Sequence, residues 1–379
     1  MTAPAAYPAH RWADLFRRAG PWCSVFYDAG TGTVDSRHAQ DVIPDNVADE
    51  LRRQGAAEDD LTAIVDSVRP AAGESRPAAR LLLAESGAVR LDELLVGSEA
   101  GPGFATVGPV PDVLPLLRHD QHRFPYLVVV VGRDGGEVRR HSAHGQRSEP
   151  ITVTGSRENL TKNPGGGWSQ GRYQHRTEEI WRRNTGALAE AVEEARRLDG
   201  SRLIAVIGDT HAAQLLITQL PPAAADLATR IDSIPDGSED DDALRAKLDE
   251  LIAGEYGRAE QAVLEQLSET RGSQRRGGVT GIGPVAAALQ RAQADLVVLT
   301  DEPTEERLAV LDAEPWVATP GGETYGAQVL GETEARGALL RAAALSDADV
   351  VLLPPGALRS VLSDGDEAAA LLRWTSENG

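Results

Sequence analysis

The residues best suited to chemistry gather in one stretch. It runs Asn163-Pro164-Gly165-Gly166-Gly167-Trp168-Ser169-Gln170-Gly171-Arg172-Tyr173, then His175 and Arg176, then Trp181, Arg182 and Arg183. Three glycines behind a proline hold neither a helix nor a packed strand, because glycine loses the most freedom on ordering and proline lacks a donor. The segment therefore reads as a mobile loop. From Ser156 to Arg183 there are six Lys and Arg residues against three acids, a local surplus of positive charge in a chain of net charge −20. Arginines supply phosphate contacts, the rings of Trp168, Tyr173 and Trp181 supply stacking faces, and thin backbone fits where side chains do not. Together these suit RNA. The plainer alternative is a solvated glycine-rich surface loop. A second basic loop carries Arg271, Arg275 and Arg276 ahead of Gly277 and Gly278.

Other chemistries find fewer of their parts. Two His-x-x-His pairs exist, His119 with His122 and His141 with His144, but the second falls on a strand and its exit, where an odd separation points the rings to opposite faces. No metal site and no cofactor is expected. The run Gly277-Gly278-Val279-Thr280-Gly281-Ile282-Gly283 precedes a helix but lacks the lysine and hydroxyl of a phosphate loop, and reads as a helix start. Cys23 lies in an apolar strand rather than an electropositive setting, and no Gly-x-Ser-x-Gly elbow is present. Asp28 and Asp209 each follow a strand, a place for magnesium carboxylates but more often for a turn or helix cap.

The elements that position these residues follow from pattern. A helix is expected around Trp12 to Ala19, a buried strand over Trp22 to Tyr27, an amphipathic helix over Leu51 to Val68, and a hairpin from Ala79 to Leu91 closed near Ser86-Gly87. Gly97 to Pro115 carries no strong periodicity. Tyr126 to Val131 reads as a strand covered on both faces, with Glu137 to His141 as its hairpin partner and Ile151 to Thr154 as a third strand. A long basic helix from Arg172 to about Leu198, a strand over Arg202 to Gly208 and a helix from Thr210 to Gln219 complete a βββαβα unit. Asp236 to Asp242 reads as an acidic linker. Beyond it come helices over Leu244 to Thr270, Pro284 to Gln293 and Ala335 to Leu345, strands over Leu296 to Thr300 and Val350 to Leu353, and a helical stretch closing near Trp374.

Three α/β domains result: an N-terminal one over 1–118, a middle one over 122–232 carrying the loop 165–173, and a C-terminal one over 243–379. The chain of 379 residues, 41% hydrophobic and 25% charged, is long enough for several cores of ordinary composition. Its negative net charge opposes coating of DNA or an anionic membrane over the whole surface. A single cysteine excludes an intrachain disulfide. With no apolar run of signal-peptide or membrane-spanning length, a soluble cytoplasmic protein is expected.

The segment Gly166-Gly167-Trp168-Ser169-Gln170-Gly171-Arg172-Tyr173, followed by an arginine-rich helix, resembles the Gly-Gly-Gln-Ser-x-x-Arg-Phe segment of the archaeal and eukaryotic release factors. The three-domain order is similar too, across the whole chain, to a superfamily that includes Pelota, bacterial release-factor-like proteins and Balon-type hibernation factors. The resemblance implies an RNase H-like middle domain and a release-factor-type C-terminal α/β domain. Its loop would enter the ribosomal A site towards the peptidyl-transferase centre. Large-subunit rRNA would then meet Gly165, Gly166, Gly167, Trp168, Ser169, Gln170 and Arg172 in the loop, and Tyr173, His175, Arg176, Arg182 and Arg183 on the helix. A translational GTPase such as elongation factor Tu is the implied partner, meeting the third domain.

One departure shapes the activity. The family's catalytic glutamine falls on Trp168, whose indole has a donor but no acceptor and cannot position water as an amide does. Gln170 lies two residues later, and a displacement of ~1 Å costs ~100-fold in such chemistry. The stop-codon-reading Asn-Ile-Lys-Ser motif is missing from the first domain. The expectation is therefore A-site occupancy in hibernation or stress protection, leaning away from an enzyme. The alternatives are a rescue peptidyl-tRNA hydrolase using Gln170 and Ser169, and an interaction scaffold independent of RNA.

Overall fold

The computed structural model describes residues 7–30, 34–71, 77–101, 103–132, 135–142, 149–154, 169–231, 242–270, 277–360 and 367–374, with backbone alone at 34–41, 169–180 and 360. These residues form a mixed α/β structure with four sheets, in which three successive α/β sections make two compact units: residues 1–121 with 257–379, and residues 122–256.

The N-terminal section begins with a short helix α1 (Ala13–Phe16). Its strands β1 (Trp22–Asp28), β2 (Ala78–Glu85), β3 (Ala88–Val96) and β4 (Phe104–Gly108) form an antiparallel sheet in the order β3-β2-β1-β4. Ser86 and Gly87, both at positive φ, close the β2–β3 hairpin in two residues, the geometry that suits the strands' twist. In place of one helix over Leu51 to Val68 there are two, α2 (Val34–Arg53) and α3 (Glu58–Ser67). Gly55 at φ +82° turns the chain between them. β4 lies within the segment that showed no periodicity, and α4 (Leu114–His122) begins at its end.

The second unit is built on β5 (Pro125–Gly132), β6 (Gly135–Ser142), β7 (Ile151–Thr154), β8 (Leu203–Gly208) and β9 (Ala228–Arg230), in the order β7-β6-β5-β8-β9. β6 runs antiparallel to its neighbours β5 and β7, and β8 and β9 run parallel to β5. The long helix α5 (Ser169–Asp199), α6 (Thr210–Gln219) and the one-turn α7 (Pro222–Ala225) supply the crossovers. Leu127, Val129 and Val131 face α5 and α6, while Val128 and Val130 face Leu244 and Leu248 of α8 (Asp242–Thr270). The continuous apolar run of β5 is thus buried on both faces. The compact unit reaches Tyr256, past residue 232, because the first turns of α8 cover that second face.

From Gly257 the chain belongs to the first unit again. β10 (Gly278–Thr280), α9 (Ile282–Gln290), β11 (Ala294–Thr300), β12 (Arg307–Leu311), β13 (Val317–Ala318), β14 (Val329–Glu334), α10 (Ala335–Leu345), β15 (Asp349–Leu353) and β16 (Ala368–Leu372) follow. Two sheets result, β10-β16-β11-β15 and β13-β12-β14. The closing segment is not the helix its alanines suggest. Ala368 and Ala370 enter one core and Ala369 the other, so β16 lies inside its sheet with both faces covered. That burial outweighs helix propensity. One core joins Trp22, Leu81 and Leu83 to Val285, Leu339 and Val350. Across it Arg118 forks onto Asp301 at 2.7 and 2.5 Å, a bond that raises the Arg118 pKa.

Candidate functional site

The loop residues Gly165, Gly166, Gly167 and Trp168 lie outside the described residues, as do Arg271, Arg275 and Arg276. What the structure does describe is the helix that follows the loop. α5 starts at Ser169, so Ser169, Gln170, Arg172, Tyr173, His175 and Arg176 all have helical backbone. This start is three residues earlier than the sequence predicts, and Gln170 belongs to the helix rather than to the glycine loop.

α5 is held by its middle. Leu188, Val192 and Ala195 recur on one face and are fully buried against β5, β6 and α6. Each large aliphatic contributes roughly 1.5–3 kcal/mol of transfer free energy. The approach is close because Gly136 has no side chain: a Cβ there would lie 2.5 Å from Leu188 Cδ2 and 2.6 Å from Val130 O. Near the helix end Arg196 makes two 2.7 Å bonds with Glu193, which lower the Glu193 pKa and raise that of Arg196. Basic residues in a last helical turn also complement the helix dipole.

Towards the loop, Arg182 and Arg183 are exposed and Trp181 is half-buried. The Trp181 ring lies 5.1 Å from the exposed His211 ring at an interplanar angle of 50°. Thr185 Oγ1 sits 2.8 Å from Trp181 O and 3.2 Å from Gln219 Oε1, fastening this part of α5 to α6. Asp209 sets the His211 position, accepting at Oδ1 from the His211 and Ala212 amides at 3.0 and 3.1 Å as the N-cap of α6. His211 was not among the sequence candidates; its signal is the cap residue two places before it. The exposed Arg182 and Arg183 thus follow directly in the chain on the residue that joins α5 to His211 of α6, bringing two cations close in sequence to this ring contact.

The other candidates are occupied structurally. Asp28 Oδ1 accepts from the Gly30 amide at 2.8 Å, closing a turn. His119 Nδ1 lies 2.7 Å from Ser98 Oγ, His122 contacts the Tyr256 ring, and His141 stacks on Tyr126. His144 lies outside the described residues. Gly281, at φ +93°, caps α9 after β10. Cys23 is buried, and burial followed by the charge of Asp60 pushes its thiol up to about 11. Among the described residues no group of three His, Cys, Asp or Glu could hold a metal, and no helix is long and apolar enough to cross a membrane.

Residues 125–273, which include the candidate loop and helix, match the model of bacterial archaeo-eukaryotic release factor family 2. Two uncharacterized proteins of Mycobacterium tuberculosis, from strains CDC 1551 and H37Rv, are 26% identical to the chain over 301 residues, 76% of this chain and 76% of theirs. Among solved structures, S. cerevisiae Dom34, a translation termination-like factor, is similar over 80% of this chain and 81% of its own, with 12% identity and a TM-score of 0.42. Archaeal Pelota in a ribosome-bound model with ABCE1 is similar over 97% of this chain and 94% of its own, with 13% identity and a TM-score of 0.38.

Proposed function

We propose that the chain, whose residues 125–273 match bacterial archaeo-eukaryotic release factor family 2, acts as a ribosome-associated translation factor. Its glycine-rich segment and the first turns of α5 enter the A site of the large subunit, where Arg172, Arg176, Arg182 and Arg183 meet rRNA phosphates. The observation that carries this reading is the joining, in the family-matched segment, of the glycine-rich loop to a helix whose described end presents Arg182, Arg183 and the Trp181–His211 pair. Trp168 in place of the family's glutamine favours occupancy over bond cleavage, as in hibernation or stress protection. A translational GTPase such as elongation factor Tu serves as the delivery partner, through the section from residue 243 onward.

Binding is tested by sedimenting the protein with bacterial 70S ribosomes through sucrose. The wild type travels with the ribosomes. Replacing the four arginines by glutamate returns it to the top of the gradient and flattens the dependence of binding on log salt by roughly one unit per lost phosphate contact. A wild type that stays at the top removes the proposal.

A second reading, rescue by peptidyl-tRNA hydrolysis, rests on Gln170 in the first turn of α5. Stalled ribosomes carrying labelled peptidyl-tRNA separate the two. Occupancy predicts no release by the wild type, whereas release that disappears in Gln170→Ala establishes hydrolysis.

A further inference from the structure

Strand β4 is the last strand of its sheet, so one edge of it faces no neighbouring strand among the described residues. The side chain of Gln54, directly after α2, lies on that edge. Its Nε2 donates to Ala105 O at 2.9 Å, and its Oε1 accepts from the Val107 amide at 2.9 Å. A carbonyl and the amide two residues on are the pair that a single residue of a parallel strand takes up. Gln54 therefore imitates one residue of a fifth strand. Its Nε2 also donates to Glu50 Oε1 at 2.6 Å, a bond that can persist when the amide leaves the edge.

Hollows open along the same edge on both sides of this amide, and Gln54 and Thr106 line both of them. One, about 570 Å³, has apolar walls from Phe26, Phe104, Ile43 and Val47 and carries the carboxylates of Asp28 and Glu50. The other, about 290 Å³, continues past Gly108 and carries Asp112, Glu332 and Glu334, with Arg307 as the cation among its lining residues. Burial, followed by the neighbouring Glu334, raises the Asp112 pKa, opposed by the Leu114 amide bond and by the charges of Arg336 and Arg118.

We infer that the β4 edge is a docking groove for an extended segment of another protein bearing Lys or Arg, which displaces the Gln54 amide and adds as a parallel strand. Backbone groups of Ala105 and Val107 hold the segment. Side chains along the segment reach the hollow walled by Phe26, Phe104, Ile43 and Val47 at one part of the edge and the hollow of Asp112, Glu332 and Glu334 at the next. With Arg53 paired to Glu50, Arg336 paired to Glu334, and Arg307, three guanidiniums meet five carboxylates, and the remaining negative charge disfavours nucleic acid and acidic peptides at the same place.

The full chain is titrated into a fluorescein-labelled peptide of alternating Lys and Val, with anisotropy as the readout. Gln54→Ala, which removes the competing amide, binds about tenfold tighter than wild type, the scale of two net hydrogen bonds. A peptide N-methylated at alternate residues, and one of alternating Glu and Val, each bind at least about tenfold more weakly. Hydrogen exchange on the wild type needs no variant: the Val107 amide stays protected when the Lys–Val peptide replaces Gln54, and the Ala105 amide gains protection. The inference is overturned if Gln54→Ala binds the Lys–Val peptide no better than wild type does. It is equally overturned if the N-methylated or the Glu–Val peptide matches the Lys–Val peptide, or if Ala105 exchange is unmoved.

Discussion

Gly208→Ala is expected to be among the most damaging single methyl additions in the second unit. Gly208 ends β8 opposite Val131 of β5, with φ at +119°. A Cβ there would lie 2.1 Å from Val131 O and 3.0 Å from Val131 C. Both obstacles are backbone, so no rotamer change relieves them. Val131 O cannot retreat freely either, since it accepts from the Asp209 amide at 3.0 Å. The backbone conformation costs about 1–3 kcal/mol for a non-glycine residue. Relief of the overlap costs about 1–3 kcal/mol, and the strained hydrogen bond about 0.5–1.5 kcal/mol. The sum, about 2.5–7.5 kcal/mol, is a large part of the ~5–15 kcal/mol that holds an ordinary domain. Gly200→Ala is the control: φ there is +65°, but nothing lies within 4 Å of the added carbon, so its cost stays near the left-handed penalty of about 1–2 kcal/mol. Urea unfolding, combined with hydrogen exchange of β5 and β8, reads the difference. If Gly208→Ala loses no more stability than Gly200→Ala, the close approach of β5 and β8 is not what demands glycine.

Three further outcomes follow from the same geometry. Asp209→Ala removes the α6 cap and costs about 1 kcal/mol, most of it restored by Asp209→Asn, as thermal unfolding will show. Arg341 is buried and donates to Phe16 O and Trp316 O at 3.1 Å each, and burial lowers its pKa to about 10. Arg341→Met leaves two carbonyls without these donors and costs about 2–5 kcal/mol in chemical denaturation. The Cys23 thiol rises from 9.0 to about 11 on folding, so between those values the native state holds the proton that the unfolded state releases. Stability therefore falls as pH rises through that window, and the fall is shallower in Cys23→Ala when urea midpoints are compared.

Sequence pattern exposed the second unit well because its signals are strong and local. β5 and β8 are long apolar runs, and Leu188, Val192 and Ala195 repeat at helical spacing. The first unit was harder to read because its elements depend on distant partners. β16 is an alanine-rich run whose strand identity comes from β10 and β11 on either side. β4 is short and follows glycines, and only pairing with β1 defines it. Of the candidate site, the basic helix was legible from Arg172 onward. The Trp181–His211 contact was not, since it joins residues from two helices. The Gln54 bridge to β4 was equally hidden, because its partners lie 51 and 53 residues away.

On the proposed function, the end of α5 nearest the glycine-rich segment faces ribosomal RNA. A cryo-EM map of bacterial 70S ribosomes incubated with the protein tests it most directly. Density for the second unit is expected in the A site of the large subunit, with Ser169 towards the peptidyl-transferase centre and Arg182 and Arg183 against rRNA. A bound protein whose α5 faces solvent, or ribosomes with an empty A site at saturating protein, would contradict it.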